Sequence, residues 1–200
     1  MSEIEENITY YLSDKFQLED ISQRKLYINM EIDENIIDDI VYFILKWNRD
    51  DKGIDTASRQ PIILYINSPG GTVSDGFALI DTIICSKTPV YTVNLGTEYS
   101  MAFLIGLAGH RRYTNSFATF LLHDGSTFLY NSMSKVKDTA LFYTALEEKI
   151  KNFVLSHSKM TAKEYDKKYG SEYYLFPEEA KEKGFVDYIV GIDCDIDEII

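Results

Sequence analysis

The run Ile62-Ile63-Leu64-Tyr65-Ile66 is apolar at every position and stops at Asn67-Ser68-Pro69-Gly70-Gly71. A half-exposed strand alternates apolar with polar residues, so an unbroken apolar run of this length predicts a strand buried on both faces. Pro and paired Gly cannot extend a central strand, and the chain must leave the sheet there through a loop.

The surrounding sequence repeats this strand-then-helix cycle. Residues 25–30 alternate like a short strand. Asp33 is the N-cap candidate for a helix over 34–47, where Ile36, Ile37, Ile40, Val41 and Ile44 recur at helical spacing. A polar loop follows over 48–60. Helices are expected over 75–86 and 100–108, and strands over 90–93, 112–114 and 118–122. Residues 133–156 form the longest helical segment, striped by Leu141, Leu146, Ile150, Phe153 and Val154. A last helix over 177–183 ends at Gly184, before a strand over 185–190. Such alternation predicts βαβ units and a mostly parallel sheet. The first 24 residues are polar and weakly patterned, an arm or attached hairpin preceding one domain over 25–200. No repeat, low-complexity tract or linker divides the chain.

With 200 residues, 45% hydrophobic and 26% charged, the composition is that of a globular domain. A formal charge of −12 speaks against a nucleic-acid partner, which needs clustered Lys and Arg. No apolar run reaches the roughly 18–20 residues of a membrane span. The acidic start Met1-Ser2-Glu3-Ile4-Glu5-Glu6 does not read as a secretory signal, so the expected address is the cytoplasm. Cys85 and Cys194 give neither a disulfide framework nor metal spacing, and Cys85, after Ile83-Ile84, reads as a buried thiol. No cofactor motif or Walker loop is present, so no cofactor and no metal are expected.

Three segments carry chemistry. Ser100 stands between a strand and a helix, where helix N–H groups and the macrodipole favour a developing oxyanion. Serine is also a common N-cap, and that reading would suffice if Ser100 stood alone. It does not: Gly70-Gly71 ends one strand and His123 ends another, and strand ends are where parallel α/β sheets place their sites. Nucleophile, backbone donors and general base are the parts of a serine hydrolase. Of the three histidines, His110 lies in a polar Gly-His-Arg-Arg turn and His157 at a helix end, which leaves His123 as the base. The acid is less determined. Asp124 adjoins His123 and points to the opposite side of the strand. Asp187 reads as structural. Glu172 lies where Gly170-Ser171 gives way to Tyr173-Tyr174-Leu175.

Tyr65-Ile66-Asn67-Ser68-Pro69-Gly70-Gly71, the Ser100-Met101-Ala102 corner, Leu122-His123 and the segment from Glu178 to Asp187 together resemble the ClpP family, the proteolytic subunits of the Clp protease. The resemblance runs in order from about residue 25 to 190. It implies an α/β, crotonase-like fold with a protruding strand-helix handle over about 124–156. It implies a serine peptidase in which Ser100 is the nucleophile, His123 the base and Glu172 the occupant of the acid's position, with the N–H groups of Gly71 and Met101 as the oxyanion hole. It also implies stacked heptameric rings of the same chain, fed with unfolded polypeptide by a partner AAA+ ATPase.

The sequence departs from the family at several points. Glu98-Tyr99 replaces small residues before the serine, and Asp124-Gly125 replaces Gln-Pro after the histidine. Gly170-Ser171 stands where a charged pair precedes the acid. Ile63 and Cys85 replace aromatic residues of the ATPase-docking surface, although Tyr65 remains. The expectation is a ring-forming serine endopeptidase. The alternatives are a non-catalytic or weakly active subunit paired with an active paralogue, and a crotonase-fold enzyme acting on acyl-CoA, since fold does not fix function.

Overall fold

The computed structural model describes residues 15–200. Among them, seven strands form one mostly parallel sheet. Strands β1 (Lys25–Ile28), β2 (Ile62–Ser68), β3 (Val90–Tyr99), β4 (Arg111–Thr114) and β7 (Tyr188–Ile189) lie side by side, all parallel. β3 outruns β4. Its last residues, Thr97 to Tyr99, pair instead with β5 (Thr119–Leu122), which carries the antiparallel β6 (Tyr173–Leu175).

Residues 15–22 form helix α1. The helices that follow are α2 (Tyr42–Asp50), α3 (Val73–Cys85), α4 (Met101–Leu107), α5 (Met133–Ser156), α6 (Ala162–Lys168) and α7 (Pro177–Glu182). Alternation along β2 explains its unbroken apolarity. Ile62, Leu64 and Ile66 face the helices, where they join Leu79, Ile83 and Phe103 in the main core. Ile63 and Tyr65 face the other way, into a second cluster with Val93, Tyr113 and Ile199. Among the described residues, none of the helices α2 to α7 contributes to that second cluster. The chain's last turns cover it, with Tyr188 stacked on Tyr113 at 5.3 Å and the Tyr65 hydroxyl donating to the Ile199 carbonyl.

Several local expectations need correction. Residues 34–47 are not one regular helix: a π-helical turn over Ile37–Val41 precedes α2. Asp33 accepts the Asn35 N–H at 2.9 Å and so closes a local turn ahead of it. The strand expected over 185–190 shrinks to Tyr188–Ile189, because Phe185 and Val186 turn into the core. Cys85 is exposed: Leu79, Ile80 and Ile83 take the inward face of α3, and Cys85 falls on the outer one with Ile84. Of the arm expected over 1–24, residues 1–14 lie outside the described residues, and 15–22 are helical. Among the described residues, 123–130 pair with no strand, and α5 follows them.

Arg112 fixes α5 to the sheet. Its guanidinium grips both carboxylate oxygens of Asp187 (2.7 and 3.1 Å) and donates to the carbonyls of His157 and Gly184. Asp187 is thereby structural.

Candidate active site

The Ser100 corner is strained. Ser100 has φ 55° and ψ −120°, a left-handed conformation it shares, among non-glycine described residues, only with Arg24. Such strain costs on the order of 1–3 kcal/mol and persists where the surrounding structure over-determines it. Here the Ser100 N–H donates to the Leu121 carbonyl (2.9 Å), and the Ser100 carbonyl accepts from Leu104 (3.3 Å). This is the strand-to-helix geometry that exposes a serine hydroxyl at the head of a helix.

Gly70 and Gly71 lie against that corner. A side chain at Gly70 would come within 2.7 Å of Ser100 Cβ and 3.0 Å of the Met101 nitrogen, so only glycine fits. At Gly71, with φ 148°, a Cβ would meet the Ile32 carbonyl at 2.3 Å. The loop is pinned by Ile32, which donates to the Gly70 carbonyl and accepts from Thr72, both at 2.8 Å. The Gly70 N–H donates to Ser68 Oγ. Among the described residues no acceptor takes the N–H of Gly71 or of Met101. Two donors are therefore unused, one on the residue after Ser100 and one in the loop whose Gly70 abuts Ser100. The Met101 side chain is buried beneath α3, where Gly76 leaves room for it.

His123 follows β5 and Glu172 precedes β6, so the β5–β6 pairing brings them together: His123 Nδ1 lies 3.1 Å from Glu172 Oε1. An ionised carboxylate only accepts, so Nδ1 donates and Nε2 keeps its lone pair. His123 and Ser100 line one apolar cavity with Leu104, Leu122, Ile150 and Tyr169. Among the described residues, no hydrogen bond joins the Ser100 hydroxyl to the imidazole. Glu172 is open to solvent, its side chain 59% exposed.

The other titratable candidates are engaged elsewhere. His110 Nδ1 accepts the Val90 N–H, and the His157 ring contacts the Phe153 carbonyl at the end of α5. Asp187 is held by Arg112, and Asp124 follows the end of β5, where among the described residues its carboxylate makes no hydrogen bond to His123. The bulky pair before the serine is accommodated on opposite sides of β3. The Tyr99 ring packs edge-on against Tyr174 (5.7 Å) with its hydroxyl 2.9 Å from Thr119 Oγ1, and Glu98 is buried against α4. Sequence reasoning missed Ile32, Leu121, Tyr169 and the burial of Glu98. All four act through pairings between distant segments, for which the sequence carries no local signal.

The Clp protease family model matches residues 13–193. The chain is 28% identical over 171 residues to the ATP-dependent Clp protease proteolytic subunit 2 of Tropheryma whipplei (strain Twist), covering 84% of this chain and 92% of that protein. It is 26% identical over 182 residues to the protein of the same name from Rhodococcus jostii (strain RHA1), covering 90% of each. The mixed α/β architecture with its mostly parallel sheet agrees with the crotonase-like fold of these proteases. The match spans nearly the whole chain and includes the Ser100 corner, the Gly70-Gly71 loop and the His123–Glu172 contact: the chain belongs to the Clp protease family, a family of serine peptidases.

Proposed function

We propose that this chain hydrolyses peptide bonds with Ser100 as nucleophile, His123 as general base and Glu172 as the group that orients the imidazole. The observation that carries this reading is the strained Ser100 corner, packed against the Gly70-Gly71 loop and sharing a cavity with a carboxylate-bound histidine. Ser100 Oγ attacks the scissile carbonyl while its proton passes to His123 Nε2. The oxyanion is received by the Gly71 and Met101 N–H groups. The imidazolium then returns the proton to the leaving amine, and water releases the acyl group by the reverse steps. Hydrogen bonds of this kind are often long before substrate binds, so the open Ser100–His123 pair fits a resting site. Labelling with a fluorophosphonate tests the assignment: modification at Ser100 is expected, and an intact Ser100 beside active peptidase would overturn it.

The Gly71 donor gives a second test. Gly71→Ala places a methyl group against Ile32 backbone and displaces the loop. Peptidase turnover should fall about 10²–10³-fold, the usual effect of losing one oxyanion donor. Native mass should be unchanged.

We further propose a cytoplasmic, stacked heptameric ring of this chain, supplied with unfolded polypeptide by an AAA+ ATPase. The domain over 25–200 and the handle over about 124–156 belong to the same proposal. Support comes from the apolar side chains left open along the approach to α5 and on it: Phe128 (87% exposed), Tyr130, Met133, Leu141 and Phe142 (63%). A large exposed apolar surface marks an interface. The usual charged pair is replaced by Gly170-Ser171, so apolar contact carries the association. Sedimentation should show a particle larger than one heptamer, and a monomer across a wide concentration range would refute assembly.

A further inference from the structure

Glu98 is a carboxylate in a place built for an apolar side chain. It is 4% exposed and lies two residues before Ser100, on the face of β3 that meets α4. Its register partners on either side are Ser68 of β2 and Phe120 of β5, both fully buried. Against α4 it meets Gly106, where a Cβ would stand 2.3 Å from Glu98 Oε2. The glycine in the last turn of this helix is thus the space that the carboxyl fills. The elements touching Glu98 are also those that shape the site. Ser68 holds the Gly70 N–H, and α4 begins at the Met101 donor.

No cation within ion-pair distance compensates Glu98 among the described residues. Arg112 is the charged group acting on it from β4, and that guanidinium is committed to Asp187, His157 and Gly184. The neighbours from β2, β5 and α4 (Ser68, Phe120 and Gly106) are uncharged. A buried carboxylate without a partner is strongly disfavoured, and the group stays protonated instead.

We propose that Glu98 is a positioning residue: its uncharged carboxyl, wedged between β3 and Gly106, holds the Ser100–Met101 corner in place, and loss of its proton loosens that corner and lowers the reactivity of Ser100. The proposal rests on Ser100 being the nucleophile. Burial pushes the Glu98 carboxyl well above its ordinary value of 4.5, and Arg112 pulls it back only in part. For an acid raised in the folded state, the stabilising contribution is complete below the unfolded value and is lost as pH rises through the folded one. The corner therefore weakens toward alkaline pH.

The test compares the rate of fluorophosphonate labelling at Ser100 in wild type and Glu98→Gln between about pH 6 and pH 9. Taking the ratio isolates what the Glu98 carboxyl contributes. The two should label alike at the acid end, and the Gln variant should gain at least about fivefold toward the alkaline end, where wild type can lose the proton and the Gln amide cannot. Superposable profiles would overturn the proposal. Hydrogen exchange of the backbone over 100–107 provides a readout independent of chemistry. If wild type is not labelled at any pH, the nucleophile assignment fails. Exchange that accelerates with pH more in wild type than in Glu98→Gln would still support the wedge, and equal exchange would sink it. Should Glu98→Gln not fold, Gly106→Ala decides. It should cost labelling at least about tenfold in wild type and far less in a Glu98→Ala background, a coupling expected of residues in contact. Equal costs in the two backgrounds would overturn the wedge.

Discussion

Replacing Ser100 with Ala is expected to abolish peptide hydrolysis, with turnover falling by about 10⁴–10⁶, and to leave assembly intact. The size follows from the chemistry: triad members act as one unit, and removing the nucleophile leaves only the oxyanion donors and substrate binding. Assembly should survive because the mutation touches no interface. The exposed apolar side chains lie before and along α5, away from the corner, whose backbone is held by the Leu121 carbonyl and the Leu104 N–H. Alanine at φ 55° does carry strain, as serine does, so a modest loss of thermal stability should accompany the loss of activity. Cleavage of a model peptide by Ser100→Ala at the wild-type rate would remove Ser100 from the mechanism. The same variant distinguishes the weakly active alternative, in which wild type itself shows little turnover and the substitution changes little.

What the sequence made legible was governed by local rules. The β2 run, the stop at Pro69-Gly70-Gly71, the bounds of α5 and the Ser100 corner depend on residues close in the chain, and they fell where patterning placed them. Elimination among three histidines left His123 because the other two sit in turns and helix ends, where they are held by the Val90 N–H and the Phe153 carbonyl. What stayed hidden depends on partners far away. Cys85 follows an apolar pair and looks buried, yet the rotation of α3 turns it outward. The strand after Gly184 is short because Phe185 and Val186 are drawn into a core built by distant segments. The second core cannot be read from Tyr65 alone, since it exists only because Ile199 returns across the sheet. Helix α6 does carry a local signal: Thr161 accepts the Glu164 N–H at 3.2 Å, the T-x-x-E capping spacing. Glu98 is the sharpest case. In the sequence it is only a charge where small residues are usual, and its contact with Gly106 shows where the carboxyl goes.

Glu172→Gln is expected to depress turnover strongly, approaching the roughly 10⁴-fold of the corresponding Asp-to-Asn change in a serine protease. The contact at stake is the 3.1 Å approach of Oε1 to His123 Nδ1. Through it the carboxylate fixes the tautomer that leaves Nε2 able to accept the serine proton, and stabilises the imidazolium that forms. Gln preserves the shape and can present its amide N–H₂ to Nδ1, which selects the wrong tautomer. Exposure tempers the size. A carboxylate 59% open to water has a screened charge, so countercharge should contribute less here than in a buried triad, and the tautomer lock should carry most of the effect. Glu172→Asp then separates two histories of the site. The shorter side chain withdraws the oxygen by about one methylene from a ring already at hydrogen-bond distance. If the β5–β6 pairing has settled around glutamate, Asp falls short and turnover drops. If Asp matches or exceeds wild type, the glutamate is a weakened acid in a subunit moving away from catalysis. Full activity in Glu172→Gln would mean that another group orients the imidazole. That group would not be Asp187, whose two oxygens are held by Arg112. A backbone carbonyl near Nδ1 would then be the orienting group, with Ser100 and His123 unchanged in their roles.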